Sequence, residues 1–377
     1  MIKKTFRVDR NSNIELLRII SMFLIVLSHY TVHNGVNNFG LPLGFNRFLL
    51  EFSCLGNIGV IIFIVITGYF SINSKHPFKL KRAVSLVLQV LFYSVLFYCL
   101  FCLLGQTQFS LMGFIKNCLP VTFRMYWFVS VYFLLYILAP YINVLLNNLS
   151  RKQYFRLIVL MLVLFSILPI LTTQPFYGNE LVQFVMFYMI GGYLGKYKEN
   201  YFSNRKHSFA VLFFTLGVVV LSIVMMDFLG LKWPILGENS GILLNRKSLA
   251  SILIAVSIFS LFVTRKQFSS KIVNTVASCT FGVYLISDNY LVRGILWTEI
   301  LKVQDMVNQP VLALHMIGSV AIVFVLSALI EYVRINTAEK LFSKVYDRIE
   351  KRILDNRTGG GHIDLAGKMG VRNNSRS

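Results

Sequence analysis

IELLRIISMFLIVLSHY, residues Ile14–Tyr30, is apolar enough to enter a bilayer and yet carries Glu15, Arg18 and His29. Polar groups inside a membrane span are costly and usually face a protein interior or a water-filled cavity, so they are functional candidates by default. Arg18 and His29 are eleven residues apart, about three helical turns, so a helix places them on one face with roughly 16 Å of rise between them. Glu15, Met22, Ile25 and His33 fall near the same stripe. One helix would then present a carboxylate and a guanidinium near one membrane surface and imidazoles near the other. A structural reading stands beside the functional one. Arg18 is near enough to the helix start to snorkel to the headgroups, paired with Glu15 at i, i+3, and His29 can be an interfacial residue that ends the span.

Outward from this stretch the chain keeps the same character. Its 377 residues are 56% hydrophobic and 14% charged, with mean hydropathy +0.65, where a soluble domain carries about 25% charged residues. Ten apolar segments can be drawn, at 13–33, 54–72, 83–104, 126–146, 157–173, 181–196, 208–229, 248–264, 277–293 and 311–333. Most approach the roughly 20 residues that a helix needs to cross the hydrocarbon core. The expectation is an all-α polytopic membrane protein of about ten transmembrane helices, with both termini cytoplasmic. Charge placement supports that orientation. Segments expected outside hold only Arg47, Lys116, Arg124, Lys232, Arg246, Lys247, Arg293 and Lys302; every other Lys and Arg but Arg18 falls on the cytoplasmic side. The net charge of +21 is therefore a topology signal and not a nucleic-acid footprint. Five cysteines in mostly apolar surroundings argue against a disulfide scaffold. The first apolar stretch lacks a cleavage-site pattern and is expected to remain as a helix.

Read in order, residues 34–46 (NGVNNFGLPLGFN) mark turns next to His29 and His33. Gly56, Gly59 and Gly68 lie in the second span, where small residues permit close helix approach. Lys79, Lys81 and Arg82 open the third helix on the cytoplasmic side; basic groups at a helix start suit either an anion or lipid headgroups. Residues 105–125 read as an external loop running into Tyr126 and Trp127, an interfacial aromatic pair. Residues 230–247 can fold back on the membrane, and Asp288 and Asn289 near the external end of the ninth span can line a cavity. The expected organisation is a transmembrane unit over 1–335, a cytoplasmic amphipathic helix over 336–357 and a disordered tail over 358–377, in which His362 has no role.

Several of these segments, in order and at matching spacing over most of residues 10–335, resemble the acyltransferase family 3 membrane proteins. Arg18 and His29 have the spacing of that family's Arg-x10-His pattern on the first helix. GVIIFIVITGYF is similar to its Gly-Val to Gly-Tyr segment, with Thr67 in a Ser place, and Lys79-Leu-Lys-Arg82 resembles its Arg-x-x-Arg pair. YWFVSVYFLLYILAP resembles a Trp-to-Pro element, and TFGVYLISDNYLVRGILW a late helix of polysaccharide-cluster members. Tyr132 and Ser287 depart from the pattern, standing where many relatives carry Glu and His.

The resemblance implies a membrane O-acyltransferase that moves an acetyl group from cytosolic acetyl-CoA to a hydroxyl of an exported or lipid-linked surface polysaccharide, in a bacterial plasma membrane. It implies His29 as catalytic base or acyl carrier, with Arg18, Lys79, Lys81 and Arg82 holding CoA. Glu15, His33, Tyr126, Trp127 and Asp288 are the candidates for binding the sugar, Asp288 also for polarising His29, with membrane lipid as surroundings and no metal. The rival reading is a transporter or flippase of a lipid-linked sugar, disfavoured because neither paired repeats nor broken helices are evident. A scaffold or sensor would leave Arg18 and His29 unexplained.

Overall fold

The computed structural model describes residues 11–36, 40–74, 79–172, 179–339 and 348; it is 80% helical, with no strand among the described residues. Among the described residues, ten helices overlap the ten apolar segments. They are α1 (Ser12–Val32), α2 (Asn57–Ser71), α3 (Leu80–Leu103), α4 (Trp127–Asn148), α5 (Arg151–Leu162), α6 (Glu180–Lys196), α7 (Arg205–Gly230), α8 (Leu249–Val263), α9 (Lys271–Ser287) and α10 (Leu312–Asn336). Among the described residues, eight helical stretches are long and apolar enough to cross a membrane; α6 and α9 have 17 residues each. The chain is an all-α polytopic membrane protein.

The boundaries differ from the sequence reading where polar residues cap helices inside apolar runs. The segment expected at 277–293 starts earlier, at Lys271 under a Ser270 cap, and stops at Ser287, where Asp288 leaves helical geometry. Residues 105–125, expected as a loop, contain a helix at Leu111–Cys118 started by Ser110, whose hydroxyl accepts from the Gly113 N–H. The turn-rich stretch after His33 gives way to a further helix at Phe45–Ser53 that leads into α2. Residues 230–247 form two short turns, Pro234–Glu238 and Ser240–Leu244. The five cysteines are free. Beyond Glu339, only Arg348 of the expected amphipathic helix is described, and the expected tail at 358–377 lies outside the described residues.

The start of α1 is fixed to the turn between α8 and α9. The Ser12 hydroxyl donates to Asn274 Oδ1 at 2.9 Å and accepts from the Ser270 N–H at 2.8 Å. Asn13 Nδ2 donates to the carbonyls of Lys266 and Arg265 at 2.9 and 3.3 Å. With their starts joined, α1 and α9 run parallel, and residue 29 of one reaches the level of residue 288 of the other. The start of α8, near Arg246, consequently lies at the far end with them.

Helix α2 forms the centre, packed on α1, α6 and α8. A Cβ on Gly59 would meet the Ser21 carbonyl of α1, one on Gly68 the Tyr188 carbonyl of α6, and one on Gly191 the Val65 carbonyl of α2. These are backbone-to-backbone approaches with no side chain to yield, the geometry small residues permit between membrane helices. Gly68→Leu should therefore lower stability by about 1–3 kcal/mol or more, as overpacking does. The expected observation is a lower midpoint of thermal unfolding in detergent than that of wild type, with Gly318→Leu, facing open space, as the control.

A second buried tie joins α3, α9 and α10. Glu331 Oε2 accepts from Tyr93 Oη at 2.6 Å and from Arg334 Nε at 2.8 Å, and Oε1 accepts from Gln89 at 2.9 Å and from Arg334 at 2.9 Å. The carboxylate lies directly against Gly282 of α9. A fully satisfied buried pair costs little, while removing one partner strands the other. Together these ties hold α3, α9 and α1 around one space.

Candidate active site

That space is a single cavity of about 870 Å³ running beside α1. At one end it is lined by Glu15, Arg18 and Thr67, with Arg82 from the start of α3. Its middle is apolar, with Met22, Ile25, Val60, Phe63 and Phe281. At the other end stand His29, His33, Trp127, Asp288, Arg246 and Arg293. The stripe on α1 is thus the cavity's spine, as an i, i+3, i+4, i+7 face must be when the helix borders one hollow.

Arg18 serves both readings of the sequence. Its guanidinium is 3.2 and 3.3 Å from the two Glu15 oxygens, yet the side chain stays 37% exposed and lines the cavity. The i, i+3 pair neutralises a charge in the span while leaving guanidinium donors open to a ligand.

At the other end Asp288, only 4% exposed, collects three cationic or titratable neighbours. His33 Nε2 lies 3.1 Å from its Oδ1, Arg293 3.5 Å and His29 Nε2 3.9 Å. The hydrogen bond therefore goes to His33, while His29, whose polarisation was one of the two roles expected of that carboxylate, faces it at 3.9 Å. The two imidazoles stand 5.1 Å apart, one helical turn along α1. Among the described residues neither ring nitrogen of His29 has a hydrogen-bond partner, and Nδ1 is fully covered. Its Nε2 is thus the open nitrogen of a base beside a carboxylate.

His29, His33 and Asp288 offer ligand atoms within 4.8 Å of one another, a set a divalent cation could use. Arg293 already places a positive charge against the same Asp288 oxygen. The sequence reading expected no metal.

The remaining candidates separate. Trp127 lines the cavity, but the guanidinium of Arg246 lies 4.3 Å over its ring, so that face is taken by a cation and not left for a sugar. Tyr126 is behind the wall. Its hydroxyl donates to the Leu285 carbonyl at 3.0 Å and accepts from Asn289 Nδ2 at 2.7 Å, tying α4 to the turn that carries Asp288. That is a positioning role in place of the substrate contact expected. Lys79 and Lys81 do not line the cavity and are exposed; the backbone N–H of Lys79 donates to Tyr136 Oη at 2.9 Å. Tyr132 lines the wall, stacked on Phe128 at 5.9 Å, whereas Ser287 is buried off the cavity.

Arg246 and Arg293 were not singled out from the sequence. Their signal was present: both are among the few cations placed against the orientation rule, on the side where cations are scarce.

The cavity thus carries arginines at one end and an open imidazole at the other, among helices long and apolar enough to cross a membrane. The sequence model of an acyltransferase domain, acyltransferase family 3, matches residues 11–332, and the chain belongs to that family. No curated protein and no solved structure matches it. The chain is a multi-pass membrane acyltransferase.

Proposed function

We propose that this acyltransferase moves an acetyl group from cytosolic acetyl-CoA to a hydroxyl of an exported or lipid-linked polysaccharide sugar at the outer face of a bacterial plasma membrane. The observation that carries this reading is the continuity of one cavity between Arg18 with Arg82 and His29, because donor and acceptor lie in different compartments. CoA phosphates enter at the basic end, where Arg82 and Arg18 offer charge-assisted donors, and the pantetheine arm reaches along the apolar middle. His29 takes the proton of the sugar hydroxyl. The oxygen attacks the thioester carbonyl, the C–S bond breaks, and CoA leaves as the thiol with that proton. A neutral imidazole suits this role, since its ordinary pKa is near working pH. His33, held by Asp288, stands where it can bind the sugar.

Proton NMR of the surface polysaccharide tests this in wild type, a deletion strain and the deletion complemented with His29→Ala. Loss of O-acetyl signals in both mutants is expected. Intact acetylation with impaired export or altered polymer amount would point to a transporter instead.

The donor end makes its own prediction. Arg82→Gln should raise the KM for acetyl-CoA about ten-fold, the loss of one charge-assisted phosphate contact. Lys81→Gln, off the cavity wall, should change it less, as read from CoA release by the purified protein.

A further inference from the structure

The His29 end of the cavity holds more positive charge than a neutral sugar would need. Arg246 and Arg293 line it with His29 and His33, and among the described residues Asp288 is the one carboxylate lining that end. His33 already holds the Asp288 oxygen at 3.1 Å, and Arg293 reaches the same atom only at 3.5 Å, with its side chain 39% exposed. Arg246 is the sharper case. Its Nε is buried and has no hydrogen-bond partner among the described residues. Trp127, at 4.3 Å, holds the guanidinium in place from one side without satisfying its donors. A buried donor left without a partner is costly, and the planar guanidinium fork matches carboxylate and phosphate oxygens.

We propose that the saccharide acceptor carries an oxyanion, which Arg246 and Arg293 bind while His29 faces the hydroxyl to be acylated. This rests on the acyl-transfer reading for the identity of the site and adds the chemical class of its acceptor. The oxyanion is either the carboxylate of an acidic sugar or the phosphate that links a sugar to its lipid carrier. The aromatic run from Trp127 through Phe128 and Tyr284 to His29, with successive ring separations of 6.0, 5.6 and 6.5 Å, forms the wall between the anion position and the base.

The test is equilibrium dialysis with the full-length protein in nanodiscs of neutral phosphatidylcholine. The probes are cellobiose, its uronate and its 1-phosphate. At least one anionic probe should bind about ten-fold or more tighter than cellobiose, and added salt should weaken that preference. A preference for the uronate assigns an acidic sugar, and one for the phosphate a glycosyl phosphate. Arg246→Gln and Arg293→Gln should each remove the preference, while Arg246→Lys, which keeps the charge and loses the fork, retains part of it. Arg293, being part-exposed, provides a second variant if Arg246→Gln does not elute as a single folded species. Equal binding of the three probes would overturn the proposal, as would a preference that survives both Gln variants. Loss of the preference when phosphatidylglycerol replaces phosphatidylcholine would also overturn it, by assigning the arginines to a lipid headgroup. Dialysis reads binding and not turnover, so absent acetyl transfer in the same preparation rejects the proposed reaction and leaves this result standing.

Discussion

Acyl transfer by His29→Ala is expected to fall about 10²–10⁴-fold, the range that a positioned general base contributes, while the protein still inserts and folds. The size follows from the isolation of the group. His29 borders the cavity with no hydrogen-bond partner among the described residues, and the nearest imidazole, His33, is engaged with Asp288. No neighbour stands ready to take over the proton. Retention of the fold follows from the same isolation, since the ring ties no two helices together. The check is CoA release and product formation by purified wild type and variant, together with their elution profiles. Transfer within three-fold of wild type would remove His29 from the chemistry.

Asp288→Asn is expected to give the second large effect, about 10²-fold on kcat with little change in the KM for the acyl donor. The carboxylate is nearly fully buried, and its one oxygen sets the positions of His33 and Arg293 and faces His29 at 3.9 Å. Asn preserves the volume and removes the charge, so His33 and Arg293 lose their shared counter-ion. A displacement of reacting groups by about 1 Å can cost about 10²-fold. Asp288 lies at the far end of the cavity from Arg18 and Arg82, which is why the donor should bind as before. An increase confined to the KM for the acyl donor would place Asp288 on the donor side and contradict this geometry.

The membrane helices were legible because hydrocarbon imposes length and polarity on a span directly, and neighbours in space are not needed to read them. Arg18 and His29 were legible for the same reason, as polar residues that the bilayer would otherwise expel. Helix ends were not, since Asp288 ends α9 within an apolar run by local capping geometry. The pairing of Asp288 with His33 depends on how α9 is rotated against α1, and no spacing along either segment encodes that rotation. Trp127 was read as a boundary aromatic; what changes its meaning is Arg246, 119 positions later in the chain, laid across its ring. Lys79 and Arg82 look alike in a charge run, yet one turn of α3 directs only Arg82 to the cavity.

The tie between Ser12 and Asn274 spans 262 residues of sequence, and that separation has a consequence for biosynthesis. At about 5–20 residues per second, a ribosome needs roughly 13–50 s after making α1 to supply the helix that completes its site. Throughout that interval the nascent first helix must remain in the membrane with a guanidinium inside it. Glu15, emerging three residues before Arg18, supplies the counter-ion from the same turn of helix, before any other span exists. The pair that leaves Arg18 open to a ligand in the finished enzyme thus also neutralises the first helix before any partner span exists, and Glu15→Gln is expected to lower the fraction of nascent chains whose first helix inserts, as read from an insertion assay on the truncated chain.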